Sequence, residues 1–106
     1  MEQVHASCVA VEGTAVLLRG PSGSGKSDLA LRLIDGGARL VADDRVDLVR
    51  EEGRIVASAP ARIAGLIEVR GLGVYKIGAV GGAPLGLVVD LVPAEAVERL
   101  PEARFC

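Results

Sequence analysis

Eight consecutive residues, Gly20-Pro21-Ser22-Gly23-Ser24-Gly25-Lys26-Ser27, carry the most specific chemistry in the chain, because they complete the pattern G-x-x-x-x-G-K-[ST]. Its glycines let the backbone adopt conformations closed to residues with a Cβ, so that several N–H groups can turn toward one anion. A helix that opens at Lys26 adds the positive end of its dipole beneath the same anion. Lys26 can reach terminal phosphates from an expected solvent-facing position, and the Ser27 hydroxyl can enter the coordination shell of Mg²⁺. The chemistry is that of a nucleotide phosphate site, with ATP and Mg²⁺ as the expected ligands. A glycine-rich turn without a ligand is the alternative. The apolar run Thr14–Arg19 before the motif and the helical pattern after it favour the phosphate site.

Asp43-Asp44 is the second feature, closing a short apolar strand one helix and one turn beyond the loop. One carboxylate there can hold Mg²⁺ and the other can accept a proton from an attacking hydroxyl. An exposed Asp-Asp turn explains the pair equally well. The third feature is Glu68-Val69-Arg70-Gly71-Leu72-Gly73, where Glu68 and Arg70 share one side of an extended segment. A surface ion pair before a loop accounts for it slightly better on physical grounds alone. His5, the one histidine, is ambiguous in the same way.

The elements that must position these groups are legible in outline. Residues 4–11 read as a mostly apolar strand, and Glu12-Gly13 turns it into a second strand over Thr14–Arg19. A helix then runs to Asp35, with Leu29, Leu31, Leu33 and Ile34 as its buried face, and Gly36-Gly37 stops it. Residues 38–42 are a short strand, and residues 46–49 and 54–57 flank Glu51-Glu52-Gly53 as a hairpin. Residues 61–66 read as a short helix or irregular linker, residues 70–73 as too glycine-rich for a regular element, and residues 78–84 as a loop. Residues 85–92 are a central strand, and Pro93 opens a short helix over residues 93–100.

Composition bounds the rest. At 106 residues, residues 1–106 are expected to be one domain. Half of the residues are hydrophobic and Tyr75 and Phe105 are the two aromatics, so the core is aliphatic, as in a compact α/β sheet. A net charge of −2 without a basic block gives no reason to expect a nucleic-acid partner. No apolar run is long enough to cross a bilayer, and the N-terminal residues lack a secretion signal, so the expected location is cytoplasmic and the membrane is not an expected partner. Cys8 and Cys106 offer no metal spacing, and Cys8 is expected to be a small core residue. Arginine supplies the basic residues except Lys26 and Lys76, so a lysine in the loop suggests a need for a compact charge.

The succession of His5, GPSGSGKS, Val41-Ala42-Asp43-Asp44 and Ile67-Glu68-Val69-Arg70-Gly71-Leu72-Gly73 resembles the catalytic domain of the HPr kinase/phosphorylase family over nearly the whole chain. It is most similar to the short, single-domain bacterial forms. The resemblance implies a phosphate-loop α/β fold of the phosphoenolpyruvate carboxykinase type, and transfer of phosphate from ATP to a serine of the phosphocarrier protein HPr. It implies Lys26 on the transferred phosphoryl group, Ser27 and Glu68 on magnesium, Asp43 as a metal-side partner and Asp44 as general base. His5 matches an active-site histidine of the family, Arg99 an arginine after the last central strand, and the family's hexamer implies a homo-oligomer. Pro21, Asp28 and Val74-Tyr75-Lys76 depart from the common family pattern. The sequence stops at Cys106, before the basic loop that the family associates with phosphorolysis, so kinase activity with little phosphorylase activity is the expectation.

Overall fold

The computed structural model describes residues 2–21, 24–69 and 71–91. The chain enters as β1 (Glu2–His5) and β2 (Ser7–Val11), turns at Glu12-Gly13 into β3 (Thr14–Arg19), and passes through the phosphate-loop motif into helix α1 (Lys26–Asp35). It continues as β4 (Arg39–Ala42), the hairpin β5 (Arg45–Glu51) and β6 (Arg54–Ser58), and a single 3-10 turn, Ala61–Ile63. A second hairpin, β7 (Leu66–Val69) and β8 (Gly73–Lys76), precedes β9 (Ala83–Asp90).

Seven strands form one sheet in the order β1-β5-β6-β9-β3-β2-β4, and β7-β8 stand apart as a two-stranded ladder. The β3–β9 pair is parallel, and the remaining strand pairs are antiparallel. β2 is antiparallel to both β3 and β4, so β3, β4 and β9 all run the same way. Their C-terminal ends therefore share one edge of the sheet, together with the start of β2. That edge carries Gly20, Asp43, Leu91 and Ser7.

The alternating side chains of β2 and β3 feed two cores. Cys8, Ala10, Ala15 and Leu17 pack with Val46 of β5 and Ala57 of β6, so the β5–β6 half of the sheet folds over the other half. Val9 and Leu18 on the opposite face pack with Ala30 of α1, Leu40 and Ile67 of β7. Small side chains dominate the first cluster, which lets its layers approach closely, and Leu, Ile and Val fill the second without aromatic residues.

Helix α1 matches its expected span. Gly37, at φ 116°, ends it with Ala38 N–H donating to Leu33 O at 2.9 Å and Gly37 N–H to Ile34 O at 3.0 Å. The reading of residues 4–11 as one strand is corrected. Ala6 N–H donates to Asp44 O at 3.1 Å instead of entering a ladder, and the chain moves there from β5 to the β3–β4 part of the sheet. Of the residues expected to be too glycine-rich for a regular element, Gly71 and Leu72 lie in a turn that Leu72 N–H closes on Val69 O, whereas Gly73 already opens β8 opposite Val69. The expected central strand is β9, but Leu87 and Val88 remain exposed. The expected helix over residues 93–100 lies outside the described residues. Among the described residues, no helix is long and apolar enough to cross a membrane.

Candidate active site

The loop between β3 and α1 is shaped at both ends. A Cβ on Gly20 would lie 2.6 Å from Ser24 Oγ and 3.0 Å from Leu91 O, so a larger residue cannot enter without displacing the loop. Gly25 occupies the N-cap of α1 at φ 96°, a left-handed conformation that glycine accepts without strain. Among the described residues no side chain caps the helix, so its first-turn N–H groups can serve an anion. Ser24 Oγ, which is buried, has no hydrogen-bond partner among the described residues. Pro21 O accepts from Ser24 N at 3.0 Å. Ser22 and Gly23, also expected to bind nucleotide, lie outside the described residues.

Lys26 departs from its expected solvent-facing position. It is only 8% exposed, and its Nζ donates to Gly20 O at 2.7 Å and to Pro21 O at 3.1 Å. The helix start directs the side chain back over the loop, where the ammonium satisfies carbonyls that face away from the sheet ladder. An arriving phosphate has to exchange these neutral acceptors for its own charged oxygens.

Asp43 is the centre of the polar cluster. At 6% exposure, its Oδ1 accepts from Ser7 Oγ at 2.6 Å and from Ser27 Oγ at 2.9 Å. Its Oδ2 accepts from Glu68 N–H at 3.0 Å. Thus Ser27, Asp43 and Glu68, the expected metal residues, meet across α1, β4 and β7. Glu68 enters this contact through its backbone, and its side chain is exposed. Among the described residues, no three His, Cys, Asp or Glu side chains gather into a ready-made cage. Magnesium needs none, because it takes one or two carboxylates, water and substrate phosphates. A carboxylate and a hydroxyl beside a phosphate cradle fit such an ion.

Asp44 faces the other way. Its φ of 80° is left-handed, which turns its side chain out of the strand that Asp43 completes. Its Oδ1 lies 2.8 Å from His5 Nε2, and Arg45 Nε is 3.9 Å from Oδ2. Both Asp44 and His5 are exposed. The two residues that sequence left ambiguous are therefore partners, each positioned by the crossing of the chain at Ala6. Arg70 and Arg99 lie outside the described residues.

Two features of the site were not anticipated. Ser7 is fully buried in β2 and holds Asp43, and its signal in the sequence was a lone hydroxyl in an apolar run. Arg19 and Asp90 form a two-pronged ion pair at 2.7 and 3.0 Å across the parallel β3–β9 ends. This pair lowers the Asp90 carboxyl below its usual range, chiefly through the hydrogen bond from Arg19, and raises Arg19. Leu91 N–H donates to Arg19 O at 2.7 Å, so β9 is fastened to the residue that precedes the loop. Away from the site, burial pushes the Cys8 thiol up to about 12, in keeping with a small core residue.

Comparison with known proteins places this geometry in context. The family model of the HPr Serine kinase C-terminal domain matches residues 1–92. The HPr kinase/phosphorylase of Clostridium tetani is 44% identical over 89 residues, covering 84% of this chain and 28% of that protein. That of Geobacillus kaustophilus is 46% identical over 108 residues, covering 92% of this chain and 35% of its own length. The chain thus spans about a third of the curated relatives it matches. Among solved structures, the Hpr(Ser) kinase/phosphatase from Coxiella burnetii is similar with a TM-score of 0.83 at 30% identity, over 95% of this chain and 64% of that one.

Proposed function

The chain belongs to the HPr serine kinase C-terminal domain family, and from that membership and the geometry of its site we propose that it transfers phosphate from ATP to a serine hydroxyl of an HPr-type phosphocarrier protein. The observation that carries this reading is the division of labour at Asp43-Asp44. One carboxylate is buried on the Ser27 hydroxyl beside the phosphate loop, and its neighbour is turned outward on His5. A site that must hold a metal nucleotide and also deprotonate an incoming alcohol needs this separation, because one carboxylate cannot serve both.

In this reading the fold is a phosphate-loop domain of the phosphoenolpyruvate carboxykinase type, and residues 1–106 act as one catalytic domain. Gly20, Pro21, Ser22, Gly23, Ser24 and Gly25 shape the cradle, and its amides and the start of α1 bind the phosphates of ATP. Lys26 leaves its loop carbonyls for the phosphoryl oxygens, where a compact ammonium stabilises developing charge. Ser27 and Asp43, with Glu68 at the rim, hold Mg²⁺. The ion, when bound, neutralises charge on the phosphates. Asp44 accepts the proton of the attacking serine, and His5 orients its carboxylate by holding Oδ1. Arg99 is assigned a catalytic role from the family resemblance alone. The protein works in the cytoplasm as a homo-oligomer, with the hexamer as the expected form.

The experiment is transfer of labelled phosphate from ATP, with and without HPr, followed by identification of the labelled residue. Magnesium-dependent label on a serine of HPr is the expected result. Nucleotide binding without label on HPr, or label on a small molecule instead, rejects the proposal.

A further inference from the structure

We infer that Ser7 is a positioning residue that sets the orientation of Asp43, and through it that of the Ser27 hydroxyl. The consequence for metal-nucleotide binding rests on the function proposed above, whereas the orientation of Asp43 does not.

The argument starts from donors and acceptors. A carboxylate taken out of water needs several hydrogen bonds to remain ionised without cost. Asp43 has three donors, and two of them, Ser7 Oγ at 2.6 Å and Ser27 Oγ at 2.9 Å, share the same oxygen, Oδ1. The third, Glu68 N–H, holds Oδ2 at 3.0 Å. These contacts come from β2, α1 and β7, so the plane of the carboxylate is defined from three elements. Ser7 is the most rigid of the three donors. It is 0% exposed, its backbone is in register with Leu18 of β3, and the next residue, Cys8, pairs with Ala42 immediately before Asp43.

Ser27 has one hydroxyl proton. While it goes to Oδ1, the oxygen lone pairs of Ser27 point away from Asp43 and remain open to a cation. Ser7 keeps Oδ1 in that place. Without Ser7, Oδ1 retains one donor, the carboxylate can turn about its last torsion, and Ser27 loses a fixed acceptor. Ser7 touches no expected phosphate or acceptor group, so its effect has to pass through Asp43.

Ser7→Ala, Ser7→Val and Ser7→Thr test this in the full chain. The first readout is the side-chain carboxyl ¹³C resonance of Asp43 in nucleotide-free protein, identified by its loss in Asp43→Asn. It should shift in Ser7→Ala and Ser7→Val, whatever the protein's function. An unmoved resonance in a folded Ser7→Ala protein overturns the inference. The second readout is binding of a fluorescent ATP analogue, titrated with Mg²⁺ and repeated in EDTA. Ser7→Ala should raise the half-saturating Mg²⁺ about tenfold, the effect of losing one hydrogen bond to a charged group, and leave binding in EDTA unchanged. Ser7→Thr, which restores the hydroxyl, should recover the wild-type Mg²⁺ requirement, and melting curves establish that each variant is folded. Equal weakening with and without Mg²⁺ would mean a general packing role and would also reject the inference. If wild type binds no nucleotide, the proposed function fails while the resonance still decides the role of Ser7.

Discussion

Asp43 and Asp44 are consecutive in the chain yet belong to different environments: Asp43 is buried on Ser7, Ser27 and the Glu68 amide, and Asp44 is exposed on His5. The left-handed backbone of Asp44, at φ 80°, produces the separation. A residue continuing the extended path of β4 would place its side chain on the opposite sheet face, still within the layers. The turn instead brings Asp44 to the surface.

Asp44→Asn should lower the rate of phosphoryl transfer by about 10²–10⁴-fold with little change in nucleotide affinity. Asparagine tolerates a left-handed backbone well, so the turn at φ 80° should persist. Steady-state rates together with direct nucleotide binding separate the two effects. Loss of binding with unchanged turnover would reverse the roles assigned to the two aspartates.

Asp43→Asn should instead weaken Mg²⁺-dependent nucleotide binding and destabilise the fold by about 1–3 kcal/mol. An amide can present only one acceptor oxygen to three donors, so at least one of Ser7 Oγ, Ser27 Oγ and Glu68 N–H is left facing an NH₂ group. Denaturant melts and a magnesium titration measure the two parts. A variant of normal stability and normal magnesium requirement would contradict the hydrogen-bond pattern.

Lys26→Ala should reduce transfer by at least about 10²-fold, the scale of losing one charged stabilising group at a reacting centre. The fold should survive, because among the described residues Nζ bonds only to the carbonyls of Gly20 and Pro21, which water can then solvate. Circular dichroism checks the fold and the HPr-labelling assay checks the rate. Near-normal turnover would remove the loop from catalysis.

Stability should depend on the Arg19–Asp90 pair in a defined pH window. Asp90 has a folded-state value below its ordinary one, so ionisation favours the folded state and the contribution is present above the unfolded carboxylate value, about 3.9. It is lost as pH falls from there through the lowered folded value. Melting temperatures of wild type and Asp90→Asn should therefore differ by a constant small amount near neutrality and converge in acid. Both groups are exposed, so added salt should shrink the difference. A gap that persists unchanged at the lowest pH would point to packing rather than charge.

The sequence by itself determined what depends on near neighbours. The helix ended by Gly36-Gly37 and the turns at Glu12-Gly13 and Glu52-Gly53 are local matters of φ, ψ and capping, and the structure places them where they were expected. The aspartate pair and the stretch around Glu68 were legible as residue types but not as roles, since a carboxylate's task depends on its burial and its partners. Tertiary structure decided these. It took the crossing at Ala6, invisible in a mostly apolar run without Gly or Pro, to set His5 against Asp44 and Ser7 against Asp43. Strand direction settled the rest: with β3, β4 and β9 parallel in sense, residues far apart in sequence end at one edge. A hydroxyl among apolar residues carries no mark of its partner, because hydrogen-bond geometry is a property of two segments and the sequence shows one at a time.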